Sequence, residues 1–237
     1  MPDVYAHIIC ADLVAKNFKL KLDDMEKKLL YFGSQGPDII SFIYPDLSEK
    51  MHGYYEDFLK IMLSKSEFLP LYIGYLSHFN LDKMCHPIIE SYSDSMEDHL
   101  AIEAYLDQVI VKLYWDKDIK DLDLSHYIPY EIPSNIASFI SQVIYDIYAF
   151  RLPLGFWENA LRNYHEIYKE ASKGRSNLIK YSENPLSSLE EILGKKDTKC
   201  ILLSFRDAVK NTVYALNSTF KLTLFKGVKI KDEKIEF

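Results

Sequence analysis

An all-α fold is predicted for this chain of 237 residues by three observations. Apolar residues recur at helical spacing along most of its length, Gly is scarce at 8 residues, and turn-forming clusters are few. With 48% hydrophobic residues there is enough apolar material for one sizeable core, so residues 1–237 are expected to form a single helical domain.

The first helix is expected from Ala6 to about Lys19, where Ile9, Leu13, Val14 and Phe18 make one apolar stripe. A second spans about residues 24–31 and stops at Gly33, because the run Gly33-Ser34-Gln35-Gly36-Pro37-Asp38 is rich in breakers. A third covers about 48–64. A fourth covers about 68–85 and is expected to end near His86-Pro87, since proline disfavours α geometry in the residue before it. The fifth, about 96–115, has Ser95 as N-cap and acidic residues in its first turn. Residues 116–130 read as a polar connection. Pro133-Ser134 opens a helix to about 150, and Leu154-Gly155 precedes another to about 173. A short helix over 185–194 and a long apolar one over 198–218 follow, and residues 222–237 read as an extended tail or a hairpin.

The formal net charge of −7 argues against a stable nucleic-acid partner, which would need a basic face. It does not exclude anionic substrates, because bound divalent metals invert the local charge of an acidic site. Cys10, Cys85 and Cys200 are too few and too scattered for a disulfide framework and read as reduced thiols. The N-terminus lacks a basic segment followed by an apolar run, and no stretch reaches the ~18 apolar residues that span a bilayer. A cytoplasmic protein with no transmembrane segment is expected.

Five of the seven histidines fall early: His7, His52, His78, His86 and His99. His78, Asp82 and His86 are spaced i, i+4, i+8, and His99 and Glu103 are again i, i+4, so each set projects from one helix face. Taken singly, such pairs are more often surface ion pairs of modest worth. Here they interrupt apolar segments, where burial costs several kcal/mol unless a partner compensates. A metal compensates directly.

His7, the loop GSQGPDII with Asp38, His52, His78-x3-Asp82-x3-His86 and His99-x3-Glu103 resemble the ordered ligand set of zinc-dependent phospholipase C. Single-strand-specific zinc nucleases use a similar set on a related helical fold. The resemblance covers about residues 1–110 and implies the following. One metal takes Asp38, His52, His78 and Asp82; a second takes His86, His99 and Glu103; a third takes His7 and shares Asp82. Two or three zinc ions are expected, with iron or manganese as alternatives. A metal-bound hydroxide would attack a phosphodiester, lipid or soluble, with Asp38 as ligand or as catalytic base. The alternatives are a nuclease or nucleotide phosphodiesterase with the same cluster, and a non-catalytic metalloprotein.

Three departures from the family pattern are visible. The secreted enzymes bind their third metal partly through a free N-terminal amine; the candidates for that place here are the Pro2 amine and the Asp3 carboxylate, and without them two metals remain. Ile39 and Glu49 stand where the secreted enzymes hold choline with aromatic residues, so a choline preference does not carry over, while Tyr5, Tyr44, Tyr54 and Tyr55 are candidates for a different cation–π cage. The interval from Asp82 to His86 is shorter than the family's, and Cys85 within it is expected to pack rather than ligate. His126 and His165 are expected to be structural or exposed. Lys221, Lys226, Lys229 and Lys231 suggest an edge strand kept soluble by lysine.

Overall fold

The computed structural model describes residues 4–63, 68–172 and 181–219. Pro2, Asp3 and the proposed strand or tail over residues 222–237, with Lys221 and its companion lysines, lie outside the described residues. The all-α expectation holds: helices account for the regular structure, and there is no strand among the described residues.

Helix α1 (Val4–Asn17) buries Ala6, Ile8, Ile9, Cys10 and Ala11, side chains that point to every side of the helix. A helix apolar all round needs neighbours all round. It has them in α2 (Asp24–Ser34), α6 (Leu69–Ser91), α7 (Met96–Trp115) and α10 (Pro185–Thr219). Asp23 starts α2 with a capping box: its side chain accepts the Glu26 N–H, and the Glu26 side chain accepts the Asp23 N–H. Ser95 caps α7 through the Asp98 N–H, as the sequence indicates.

Helices α2 and α6 come unusually close because glycines face one another. A Cβ on Gly33 would stand 2.5 Å from the Leu71 carbonyl oxygen, and one on Gly74 would stand 2.3 Å from that of Leu30. This approach brings the loop after α2 against the middle of α6, where His78 lies.

Two boundaries differ from expectation. Residues 48–64 are not one helix: α4 (Pro45–Gly53) starts earlier, on a proline at its first position, and Tyr54 breaks it from α5 (Tyr55–Leu63). Between α2 and α4 runs α3 (Asp38–Ser41), a single turn after the Gly36-Pro37 loop. Helix α6 does not stop at Pro87 but continues to Ser91. Proline removes one helical hydrogen bond, and the fully buried Ile89 anchors the turn beyond it.

The C-terminal half holds α8 (Ser134–Tyr148) and α9 (Phe156–Ser172), which pack on α5 and α3 respectively, and α10, which bends at Gly194 (φ 75°, ψ 156°). No helix among the described residues is long and apolar enough to cross a membrane.

Candidate metal centre

The fold gathers all eight predicted side chains. His7 comes from α1, Asp38 from the start of α3, His52 from the last turn of α4, His78, Asp82 and His86 from α6, and His99 and Glu103 from α7. Four of them are almost entirely withdrawn from solvent: His7 is 1% exposed, His78 0%, Asp38 3% and Glu103 3%.

Asp82 sits in the middle. One carboxylate oxygen lies 3.3 Å from His7 Nε2 and 3.7 Å from His86 Nε2. The other lies 3.1 Å from His78 Nε2 and 3.4 Å from His52 Nε2. Asp38 Oδ1 is 3.3 Å from His52 Nε2, and the rings of His7 and His78 stack with centroids 4.3 Å apart. Beyond Asp82, His99 Nε2 is 2.9 Å and His86 Nε2 is 3.8 Å from Glu103 Oε1. Ligand atoms within 4.8 Å of one another define three groups: His7, Asp38 and His78; His52, His78 and Asp82; His86, His99 and Glu103.

The imidazoles are oriented from behind. His52 Nδ1 meets the Ser48 carbonyl at 2.8 Å, and His78 Nδ1 meets the Ser34 carbonyl at 3.1 Å. With Nδ1 donating to a carbonyl, Nε2 presents its lone pair inward, which is the usual way a metal-ligating histidine is fixed. Gly36 makes room for this: at φ +52° it carries no Cβ, and a Cβ there would stand 2.5 Å from the His78 ring.

These residues fit a metal centre on the hydrogen-bonding evidence. Both ring nitrogens of His7, Asp38 Oδ1, both oxygens of Asp82 and His86 Nε2 are buried and make no hydrogen bond among the described residues. Native interiors seldom leave buried polar atoms so unpaired. Six such atoms in one cluster suit cations held among them.

The protonation states point the same way. Burial pushes the Asp82 carboxyl up, but the facing imidazoles of His78, His52 and His7 outweigh it and hold the group well below the usual carboxylate range. Asp38 is lowered likewise: His78 and His52 overcome the effect of burial. Burial lowers His7, helped by His78, and lowers His86 to about 4, so both are neutral near pH 7. For His52, burial favours the neutral ring, yet the Asp38 and Asp82 carboxylates outweigh it and push it up to about 10. A metal taking that position displaces a proton.

A groove of about 600 Å³ opens over Asp82, His52 and His86. Tyr55 and Phe79, stacked at 4.6 Å, form one wall, and Glu49, Lys83 and Glu90 are charged groups along it. Of the four tyrosines considered for a cation cage, Tyr55 lines this groove. Tyr5 packs on Trp115 and Tyr127, and Tyr44 on Phe150 and Phe156, so both are in use elsewhere, while Tyr54 is 65% exposed. Ile39 is buried in the core. Cys85 is fully buried and stands in none of the three groups, nor do His126 and His165; His165 stacks on Tyr130 with centroids 3.9 Å apart.

One supporting residue escapes the sequence reading. Asp107, 1% exposed on α7, accepts the backbone N–H groups of Tyr5, at 3.2 Å, and of Ala6. It thereby fixes the start of α1 just ahead of His7. The available signal was a carboxylate one turn after Glu103 inside the apolar run AIEAYLDQVIV.

The family model for zinc-dependent phospholipase C matches residues 6–175, a span that contains all eight clustered side chains and continues through α8 and α9. No curated protein and no solved structure matches the chain. The matched family and the three His/carboxylate groups together fit a metal-dependent hydrolase. This chain belongs to the zinc-dependent phospholipase C family.

Proposed function

We propose that the chain is a metal-dependent phosphodiesterase of the phospholipase C type, folded as one helical domain over residues 1–237. The observation that carries the reading is Asp82, a buried carboxylate faced by four imidazoles with both its oxygens left without hydrogen bonds. Asp38, His52, His78 and Asp82 would hold one ion; His86, His99 and Glu103 a second; His7 a third, sharing Asp82. Zinc suits this set of imidazole and carboxylate donors, and iron or manganese is compatible with it. Bound divalent ions supply Lewis acidity toward the phosphoryl oxygens and make water acidic enough to attack near neutral pH.

The chain's own residues do the rest. Asp38, ionised and close to His52 Nε2, serves as ligand or as the base that takes a proton from the attacking water. The Tyr55–Phe79 wall receives the apolar part of the substrate, and Glu49, Lys83 and Glu90 meet its polar group. Closed, cysteine-rich ligation marks structural zinc; here the groups contain no cysteine, and His52, Asp82 and His86 face an open groove, which favours chemistry. The same aromatic wall suits a nucleobase, so a mononucleotide-sized phosphodiester is the second reading. The thiols Cys10, Cys85 and Cys200 suit a reducing compartment, and we place the protein in the cytoplasm.

The test is hydrolysis of bis(p-nitrophenyl) phosphate, phosphatidylcholine and phosphatidylethanolamine vesicles, and a cyclic mononucleotide, by zinc-loaded and chelator-treated protein. Metal-dependent release of a phosphomonoester from a lipid supports the phospholipase reading. Turnover of the nucleotide alone supports the second. No metal-dependent turnover of any of them would remove the enzyme reading.

A further inference from the structure

The C-terminal half reaches the metal-ligand loop through one buried side-chain bridge. The Tyr164 hydroxyl, on α9, donates to Gln35 Oε1 at 2.6 Å, and both residues are 1% exposed. Gln35 lies in the turn between α2 and α3. Its amide nitrogen donates to Ser34 Oγ at 3.1 Å and stands 3.4 Å from the carbonyls of Val4 and Tyr31. Its backbone carbonyl accepts the Asp38 N–H at 3.0 Å. The neighbouring Ser34 carbonyl takes His78 Nδ1 at 3.1 Å.

Gln35 therefore touches three segments that carry candidate ligands: α1 one turn before His7, the first residue of α3 at Asp38, and, through Ser34, His78 on α6. A side-chain amide has an acceptor end and a donor end. With Oε1 toward Tyr164, the nitrogen faces three acceptors. Flipped, Oε1 would face the Val4 and Tyr31 carbonyls, oxygen against oxygen. The Val4 and Tyr31 carbonyls therefore fix the first orientation, and the Tyr164 hydroxyl satisfies the buried Oε1 that this leaves on the other side.

We infer that Tyr164, acting through Gln35, is a positioning residue that sets how His7, Asp38 and His78 converge, so that the C-terminal half tunes the metal centre as well as completing the core. The inference rests on reading those three residues as metal ligands. Partners bonded directly to a ligand typically contribute roughly 10–100-fold to metal affinity, and Tyr164, one step further out, is expected at the lower end of that range.

The test uses the full chain, cleared of metal and titrated with Co²⁺, whose visible absorption reports ligand geometry. Tyr164→Phe is expected to weaken one bound Co²⁺ by roughly tenfold and to shift its absorption bands. Ser141→Ala, on α8, serves as the control, because it removes a hydrogen bond made by α9, Trp157 Nε1 to Ser141 Oγ at 2.9 Å, without touching the loop. Its affinity and spectrum are expected to match the parent's. If Tyr164→Phe does not fold, Gln35→Met is read in the same way with the same expectation. An unchanged affinity and spectrum in the variant read, or an equal change in Ser141→Ala, would overturn the inference while leaving the metal reading intact. A parent chain that takes up no Co²⁺ overturns both.

Discussion

The Nε2 atoms of His52 and His78 face each other at 3.2 Å, while the Nδ1 atom of each ring meets a backbone carbonyl, Ser48 at 2.8 Å and Ser34 at 3.1 Å. Two imidazoles donating from Nδ1 present two lone pairs across that gap, which repel unless a proton or a metal ion stands between them. The Asp82 carboxylate lies beside both nitrogens, at 3.4 and 3.1 Å. A site that attracts cations thus follows from the backbone contacts of two helices, before any ion is considered.

Asp82 connects all three groups, so its loss should be the most damaging. Asp82→Asn keeps the shape but removes the negative charge that four imidazoles face. It is expected to lower metal content in more than one group and phosphodiesterase activity beyond the 10–100-fold typical of losing an outer partner. His78→Ala should do the same to a lesser extent. Elemental analysis beside an activity assay checks this, with His165→Ala as the control expected to keep its full metal load. Full metal content in Asp82→Asn would show that the carboxylate is not a ligand.

Gly36 offers a backbone test. Gly36→Ala places a side chain at φ +52° and 2.5 Å from the His78 ring, and strain of this kind costs about 1–3 kcal/mol. A fall in melting temperature by several degrees is expected, together with weaker metal retention, because the ring must move off the Ser34 carbonyl. Thermal denaturation with and without added zinc reads both; a variant as stable and as well loaded as the parent would mean that the loop adapts freely.

The thiols should divide by burial. Cys10 and Cys85 are fully buried, and burial pushes both thiols up, whereas Cys200 is partly exposed. In the native protein a thiol reagent should label Cys200, and Cys10 and Cys85 only after denaturation. Mass spectrometry of the labelled peptides decides it. Rapid native labelling of Cys85 would contradict the packing drawn around His86.

How much of this was legible in the sequence depended on how local each cause is. Helix α7 could be read to the residue because Ser95 and the acidic first turn mark its start within the helix itself. The spacing of His78, Asp82 and His86 placed three side chains on one face by helix geometry alone. The break at Tyr54 and the passage of α6 through Pro87 could not be read, since both depend on tertiary anchoring, the latter on Ile89 in the core. Asp107 was missed for the same reason: its role is to hold the N–H groups of Tyr5 and Ala6, a hundred residues away in the chain. The Tyr164–Gln35 bridge is likewise invisible in sequence, because nothing local marks a tyrosine hydroxyl as the partner of a distant loop amide.

Metal content per chain, on untagged protein purified without added metal or chelator, shows whether this helical scaffold is built around metal ions. Two or three zinc, iron or manganese ions per chain are expected. Removing them should lower the melting temperature by about 10 °C, the effect of losing a ligand present at roughly a thousand times its dissociation constant. No metal retained, and none taken up on titration, would mean that the scaffold is not built around metal ions and leave the cluster around Asp82 without a function.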